Sequence, residues 1–333
     1  MKIVVFETEK WECDILQKIC CDHEIVFTEE PLRRGNVHEF KDADIISPFV
    51  HSELSGSVLE CFETLSFIAT RSTGYDHIDM EFCSRNGIPV SNVPVYGDHT
   101  VAEHVFALLL SISHRIPEAV NRTRKGDFSQ KGLQGFDLQN KTLGVVGTGS
   151  IGKRVARIAQ GFGLNVIAYD PKPDAVFAAR YNVSYMDMDG LLQKSDILTL
   201  HVPGSKATNH LLSDREFSCM KDGVVLINTA RGSIVDTQAL LRALADGKVA
   251  AAGLDVLPDE PSIREEAELI RSFFDKKHDL ETLFSNHVLL HMRNVIITPH
   301  SAFNTKEAVE RIIYTTGDNI IAFMNRSLKN VVS

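Results

Sequence analysis

The chain has 333 residues, 44% of them hydrophobic and 24% charged, enough to bury a substantial core and to form two domains of ordinary size. A formal net charge of -9 leaves no surplus of lysine and arginine, which excludes nucleic acid and anionic membrane surfaces as expected partners.

Met1-Lys2 leads straight into Ile3-Val4-Val5-Phe6, an apolar run too short for the core of a signal peptide and suited to a first buried strand. Short apolar runs then alternate with amphipathic stretches, the pattern of parallel strands joined by crossover helices. Strands are expected at 2–7, 24–27, 43–47, 65–70 and 88–91, forming a first α/β unit. Residues 99–116, HTVAEHVFALLLSISHRI, are apolar on nearly every face. A helix of that kind is buried all round, so it is expected between domains or in a homodimer interface. Its apolar run between His104 and His114 is too short to span a membrane. A second series of strands is expected at 142–146, 165–169, 197–201, 224–228, 250–255 and 295–298, forming a second α/β unit. Residues 306–324 read as a last helix, followed by a short polar tail. The fold expected is therefore two doubly wound parallel-sheet α/β domains. The six cysteines (Cys13, Cys20, Cys21, Cys61, Cys83 and Cys219) make no C-x-x-C pair and no metal-like spacing with histidine. They read as reduced structural thiols of a cytoplasmic protein without a metal.

The stretch VVGTGSIG at 145–152 places Gly147, Gly149 and Gly152 between an expected strand and an expected helix. That context makes it a dinucleotide loop. Gly147 permits the tight turn, Gly149 lets backbone approach a pyrophosphate, Gly152 allows close helix packing, and the amides of Ser150 and Ile151 face the phosphates. Asp170 ends the next strand, 18 residues after Gly152. Its carboxylate suits the ribose hydroxyls of NAD and repels the 2'-phosphate of NADP; the plainer alternative is a turn cap before Pro171.

Three later stretches fall at the carboxyl ends of strands, where open α/β sheets hold their ligands: INTARGSIVDT with Arg231, GLDVLPDEP with Asp255 and Glu260, and ITPHSAF with His300. Arginine, glutamate and histidine are the types needed to reduce a 2-keto acid. A guanidinium grips carboxylate or carbonyl oxygen as a fork, an imidazolium donates a proton, and an acid beside it favours the charged form. Singly, each has a plainer use as a turn cap, a solvated loop acid or a partner for buried backbone.

The sequence resembles the D-specific 2-hydroxyacid dehydrogenases along almost its whole length, through STGYDHID (72–79), NVP (92–94), TVAEH (100–104), GTGSIG, LHVP (200–203), MKDGVVLINTARGSIVDT (220–237), GLDV (253–256) and TPHSAF (298–303). The resemblance implies a Rossmann NAD-binding domain, residues 99–303, inserted into a flavodoxin-like substrate domain, residues 1–98 and 304–333, with hydride transfer in the cleft between them. It implies that Arg231 binds the substrate, His300 donates the proton and Glu260 is its acidic partner. The backbone of Thr73 and Gly74 is expected to take the substrate carboxylate. Val202, Pro203, Thr208, Thr229, Ala230 and Arg231 are expected to line the cofactor, and Asp255 to hold the nicotinamide amide. Tyr96 and Phe303 resemble the aromatic pair of the D-lactate dehydrogenase branch, so the expected reaction is reduction of pyruvate to D-lactate by a homodimer.

Two features depart from the pattern. Residues 262–294 are longer than the family usually needs, with Ser262 and Glu265 resembling a capping box that opens an added surface element. Gly204-Ser205-Lys206 differs from the usual wording after LHVP, which weakens the inference for Thr208. Dehydrogenases for hydroxyisocaproate, glyoxylate or hydroxypyruvate, and phosphoglycerate share the reacting set. NAD-sensing transcriptional corepressors on this fold also keep it.

Overall fold

Apolar runs of four to six residues in this chain become parallel strands whose neighbours in sequence face opposite layers. Val145, Ile197, Val225 and Ile227 pack into one layer of core, while Val146, Leu198, Leu200 and Leu226 pack into the other. The computed structural model describes residues 1–20, 23–258 and 280–332. The chain divides into two units, Met1–Gly97 with Asn304–Ser333, and Asp98–Phe303.

The first unit holds β1 (Lys2–Val5), β2 (Glu24–Phe27), β3 (Ile45–Ser47), β4 (Phe67–Ala69) and β5 (Val90–Ser91) in the order β2-β1-β3-β4-β5. That is the flavodoxin-like winding, with its switch point between β1 and β3. A C-terminal strand, Val331–Val332, adds antiparallel to β5 through Val331 opposite Ser91 and Val332 opposite Val90. The tail expected to be merely polar therefore closes a sheet edge; two residues are too few to show an alternation in sequence.

The second unit holds β6 (Thr142–Val146), β7 (Asn165–Tyr169), β8 (Ser184–Tyr185), β9 (Ile197–Leu200), β10 (Val224–Asn228), β11 (Val249–Leu254) and β12 (Val295–Ile297). Their order, β8-β7-β6-β9-β10-β11-β12, is the Rossmann winding extended by one parallel strand, with the switch point between β6 and β9. Helix Asp98–Ser113 contributes to the core of its own unit. Its buried Ala102, Val105, Phe106, Leu108 and Leu109 belong to the core of this second unit, and Phe106 stacks on Phe162 at 5.2 Å. Ala107 stays exposed and Leu110 and Ile112 half-buried, and an all-round apolar helix announces burial without specifying what covers it.

Within the 262–294 stretch, helix Leu280–His291 packs on helix Thr237–Ala245 and sends Asn286 Nδ2 to the carbonyl of Pro258 at 2.8 Å. Ser262 and Glu265 lie outside the described residues. Among the described residues, no helix is long and apolar enough to cross a membrane, and no cluster of three or more histidine, cysteine or acidic side chains suits a metal ion.

Candidate active site

Backbone geometry explains the glycine loop before any ligand is considered. Gly147 has φ +91°, a conformation that disfavours a side chain, and a β-carbon there would lie 2.7 Å from the carbonyl oxygen of His201. At Gly152 a β-carbon would overlap the carbonyl oxygen of Gly147. Gly149, the N-cap of helix Ser150–Gly161, is exposed, and a β-carbon there would meet nothing within 4 Å. Ser150 and Ile151 are the first residues of that helix, so their amides have no intrahelical acceptor. The loop thus presents open backbone donors at a positive helix end, a fit for a pyrophosphate.

Asp170 follows β7 and faces this loop. Its Oδ2 accepts from the amide of Thr148 at 2.7 Å and from the Thr148 hydroxyl at 3.0 Å, and its Oδ1 accepts from the amide of Lys172 at 2.8 Å. Burial pushes the carboxyl up, but the bonds from Lys172 and Thr148 and the charge of Lys153 outweigh it and hold the group below its ordinary range. An ionised, half-buried acid therefore stands at the position suited to ribose hydroxyls, and it also braces the glycine loop. That second task had no sequence signal.

Past β9, His201 places its Nε2 2.9 Å from the Thr199 hydroxyl, and burial pushes its imidazole down to about 3, so it is neutral at ordinary pH. Val202 is half-buried and Pro203 exposed. The Thr208 hydroxyl donates to the Pro203 carbonyl at 2.6 Å, closing the loop despite the altered Gly204-Ser205-Lys206 wording. A β-carbon on Gly204 would lie 3.0 Å from Arg231 Cγ, which brings this loop against the Arg231 side chain.

Past β10, Asn228 shapes the turn that carries Arg231. Its Nδ2 donates to the Arg231 carbonyl at 2.9 Å, and its Oδ1 accepts from the Ala230 amide at 3.0 Å. Sequence reasoning missed Asn228, though a polar residue ending an otherwise apolar strand was the available signal. Thr229 Oγ1 is buried with no hydrogen-bond partner in the structure, an orphan that a bound cofactor would explain. Gly232 abuts the backbone of Leu257 and Pro258, where a β-carbon would clash. Glu260, two residues beyond, lies outside the described residues.

Past β11 and β12, Asp255 and His300 form one construction. The His300 amide donates to the carbonyls of Asp255 and Thr298, each at 2.9 Å, and His300 has φ +50°. The Asp255 carboxylate accepts from the Thr298 hydroxyl at 2.6 Å and from the amides of Ser301 and Ala302 at 2.9 Å each. Burial pushes its carboxyl up, but the bonds from His104, Thr298, Ala302 and Ser301 carry it below the ordinary range. Asp255, expected to hold a nicotinamide amide, has 1% of its surface exposed and fastens the His300 turn. A cofactor contact would have to use that remaining sliver.

In the first unit, the Thr73 hydroxyl donates to the Val93 carbonyl at 2.7 Å, the Thr73 carbonyl accepts from Asn92 Nδ2 at 2.8 Å, and the Gly74 carbonyl accepts from the Ser72 hydroxyl at 2.6 Å. Arg71, just before them, is 2% exposed. Its guanidinium donates to the carbonyls of Phe6 and Glu7, reaches Glu12 Oε2 at 3.2 Å, and lies over the Phe49 ring at 5.3 Å. Glu7 in turn accepts from the amides of Phe49 and His51 and from the Ser52 hydroxyl. The carbonyl of Tyr96 accepts from Arg311 Nε at 2.6 Å. Tyr96 belongs to the first unit and Phe303 to the second.

Comparison with known proteins agrees with this geometry. Residues 106–302 match the model of the D-isomer specific 2-hydroxyacid dehydrogenase NAD binding domain. The chain is 34% identical to D-lactate dehydrogenase of Escherichia coli (strain K12), over 96% of each chain. It is 35% identical to glyoxylate reductase of Thermococcus litoralis, over 88% of this chain and 84% of that one. Among solved structures it is similar to D-lactate dehydrogenase from Aquifex aeolicus complexed with NAD and lactic acid, with a TM-score of 0.87, 36% identity, and 99% and 98% of the two chains covered.

Proposed function

The chain belongs to the D-isomer specific 2-hydroxyacid dehydrogenases and takes NAD as its cofactor, and from that premise we propose that it reduces pyruvate to D-lactate reversibly. What carries the proposal is the common fastening of two reactive side chains. Asn228 shapes the Arg231 turn and its carbonyl accepts from the Asp255 amide at 2.9 Å, while the Asp255 carboxylate fastens the turn of His300. Arg231 and His300 are thereby fastened at the ends of β10 and β12, the strands on either side of β11.

In the proposed reaction the Arg231 guanidinium grips the carboxylate of the keto acid and polarises its carbonyl, with the amides of Thr73 and Gly74 also binding the carboxylate. Bound NADH supplies the hydride. His300 gives its proton to the carbonyl oxygen, and Glu260 is assigned as the acid that keeps it protonated. Gly147, Gly149, Ser150, Ile151 and Gly152 are assigned to the pyrophosphate and Asp170 to the ribose. Val202, Pro203, Thr208, Thr229 and Ala230 are assigned to the cofactor wall. Tyr96 and Phe303 are assigned to enclosing a methyl-sized substrate, which selects pyruvate over bulkier keto acids.

A cytoplasmic setting accords with Cys13, Cys61, Cys83 and Cys219, thiols in no disulfide among the described residues. A homodimer is proposed to cover the exposed Ile116, Val120 and Phe128, and light scattering tests it. The deciding experiment for substrate follows NADH oxidation with pyruvate, 2-ketobutyrate, 2-ketoisocaproate, phenylpyruvate, glyoxylate and hydroxypyruvate, with chiral analysis of the products. Pyruvate is expected to be the best substrate and to yield D-lactate. A rank for pyruvate among the poorest overturns the lactate assignment, and no turnover on any of them favours an NAD-sensing role.

A further inference from the structure

The Asp255 construction contains a residue that the reacting set does not include. His104 lies on helix Asp98–Ser113, with its Nε2 3.0 Å from Thr298 Oγ1 and 3.4 Å from Asp255 Oδ1. A hydroxyl has a single hydrogen, and Thr298 gives its own to Asp255 at 2.6 Å. Thr298 therefore accepts from His104, which requires the proton on Nε2. We propose that His104 is a positioning residue for keto-acid reduction: its Nε2–H orients the Thr298 hydroxyl toward Asp255, and Asp255 holds the turn that presents His300.

The chain of contacts is short and almost closed to water. Asp255 is 1% exposed and the His104 side chain 20% exposed. His300 adopts the left-handed backbone region, which a side chain with a β-carbon disfavours, so the turn persists only while neighbouring bonds over-determine it. Those bonds are the His300 amide to two carbonyls and the Ser301 and Ala302 amides to Asp255. Without the His104 donor, Thr298 loses its orienting partner and Asp255 loses a neighbouring donor. The turn then loosens, and a small misplacement of a proton donor is costly in rate.

The inference rests on the proposed reductase reaction, so its test includes a measurement that needs no turnover. His104→Leu is expected to speed hydrogen exchange at the Ser301 and Ala302 amides about tenfold or more in the protein without substrate. It is also expected to lower kcat on the best keto acid about ten- to a hundredfold, with KM and the NADH dissociation constant changed less than about twofold and the melting midpoint near that of the wild type. His104→Gln restores a donor and is expected to recover most of both effects. Thr298→Val is expected to reproduce the loss, and its combination with His104→Leu to add little more, since both break one chain.

Unchanged exchange and kcat in His104→Leu overturn the proposal. So does a His104→Gln variant as impaired as His104→Leu, or full additivity with Thr298→Val. If His104→Leu does not fold, normal exchange and kcat in Thr298→Val overturn it. A wild-type protein that turns over no 2-keto acid defeats the reductase reading instead, and amide exchange then decides the role of His104 by itself.

Discussion

A buried cation organises the loops at the carboxyl edge of the first sheet, and a buried anion organises those at the carboxyl edge of the second. Arg71 meets loop carbonyls, those of Phe6 and Glu7, together with one carboxylate, Glu12. Asp255 meets loop amides, those of Ser301 and Ala302, together with a hydroxyl and an imidazole. Each charge matches the backbone groups its loops turn inward, because buried carbonyls need donors and buried amides need acceptors. The difference lies in titration. A guanidinium keeps its charge at any pH a protein survives, whereas a carboxylate can be neutralised by acid, so of the two central charges only that of Asp255 is open to protons.

The largest expected effect separates chemistry from anchoring. His300→Ala should lower keto-acid reduction by about two to four orders of magnitude while NADH binding survives, since it removes the proposed proton donor and leaves both anchors in place. Steady-state kinetics beside NADH fluorescence titration check this, and undiminished turnover refutes the assigned role.

Breaking the anchors should rank them. Arg71→Met leaves Glu12 and two carbonyls buried without their donor and should cost about 3–5 kcal/mol of folding stability. Asp255→Asn keeps one acceptor but turns an amide group toward the loop donors, for about 2–3 kcal/mol. Chemical denaturation measures both. If Asp255→Asn proves the costlier, the cation is not the stronger clamp.

Smaller effects sharpen the account of the second unit. Gly149→Ala should leave stability within about 0.5 kcal/mol, because the added methyl enters open space. It should weaken NADH binding about tenfold, the equivalent of about 1.4 kcal/mol, if that space belongs to the pyrophosphate. Gly152→Ala, which meets the Gly147 carbonyl, should lose both stability and binding. Normal NADH affinity in Gly149→Ala would remove the pyrophosphate from this loop.

The last effect is graded with pH. His201 titrates at 6.5 when unfolded and is pushed down to about 3 when folded, so between those values the unfolded chain binds more protons. Stability should therefore fall as pH drops from about 6.5 toward 3. Asp255, held below its ordinary 3.8, adds a further loss as pH passes through and below that value. His201→Gln should flatten the upper part of the decline in denaturation midpoints measured from pH 7 to 4. A slope identical to the wild type's excludes His201 as its source.

Much of this architecture was legible in the chain. Strands such as 142–146, 165–169 and 224–228 appear at the boundaries their apolar runs mark, because a buried parallel strand is apolar on both faces. The glycine loop was legible because each glycine answers a local demand of backbone approach. Helix Asp98–Ser113 was legible as buried but not as to what buries it, and the strand Val331–Val332 was not legible at all. The tasks of Asn228, Thr298 and Asp255 were hidden too.

What the sequence alone determined is whatever repeats or clusters locally: strand and helix periods, the dinucleotide loop, and the residue types for keto-acid reduction within a few positions of strand ends. What only the tertiary structure decided is which polar groups meet. Arg71 finds Glu12 across 59 residues, and Asp255 finds Ala302 across 47. Partners so far apart in the chain are brought together by strand order alone, and strand order leaves no period in the sequence.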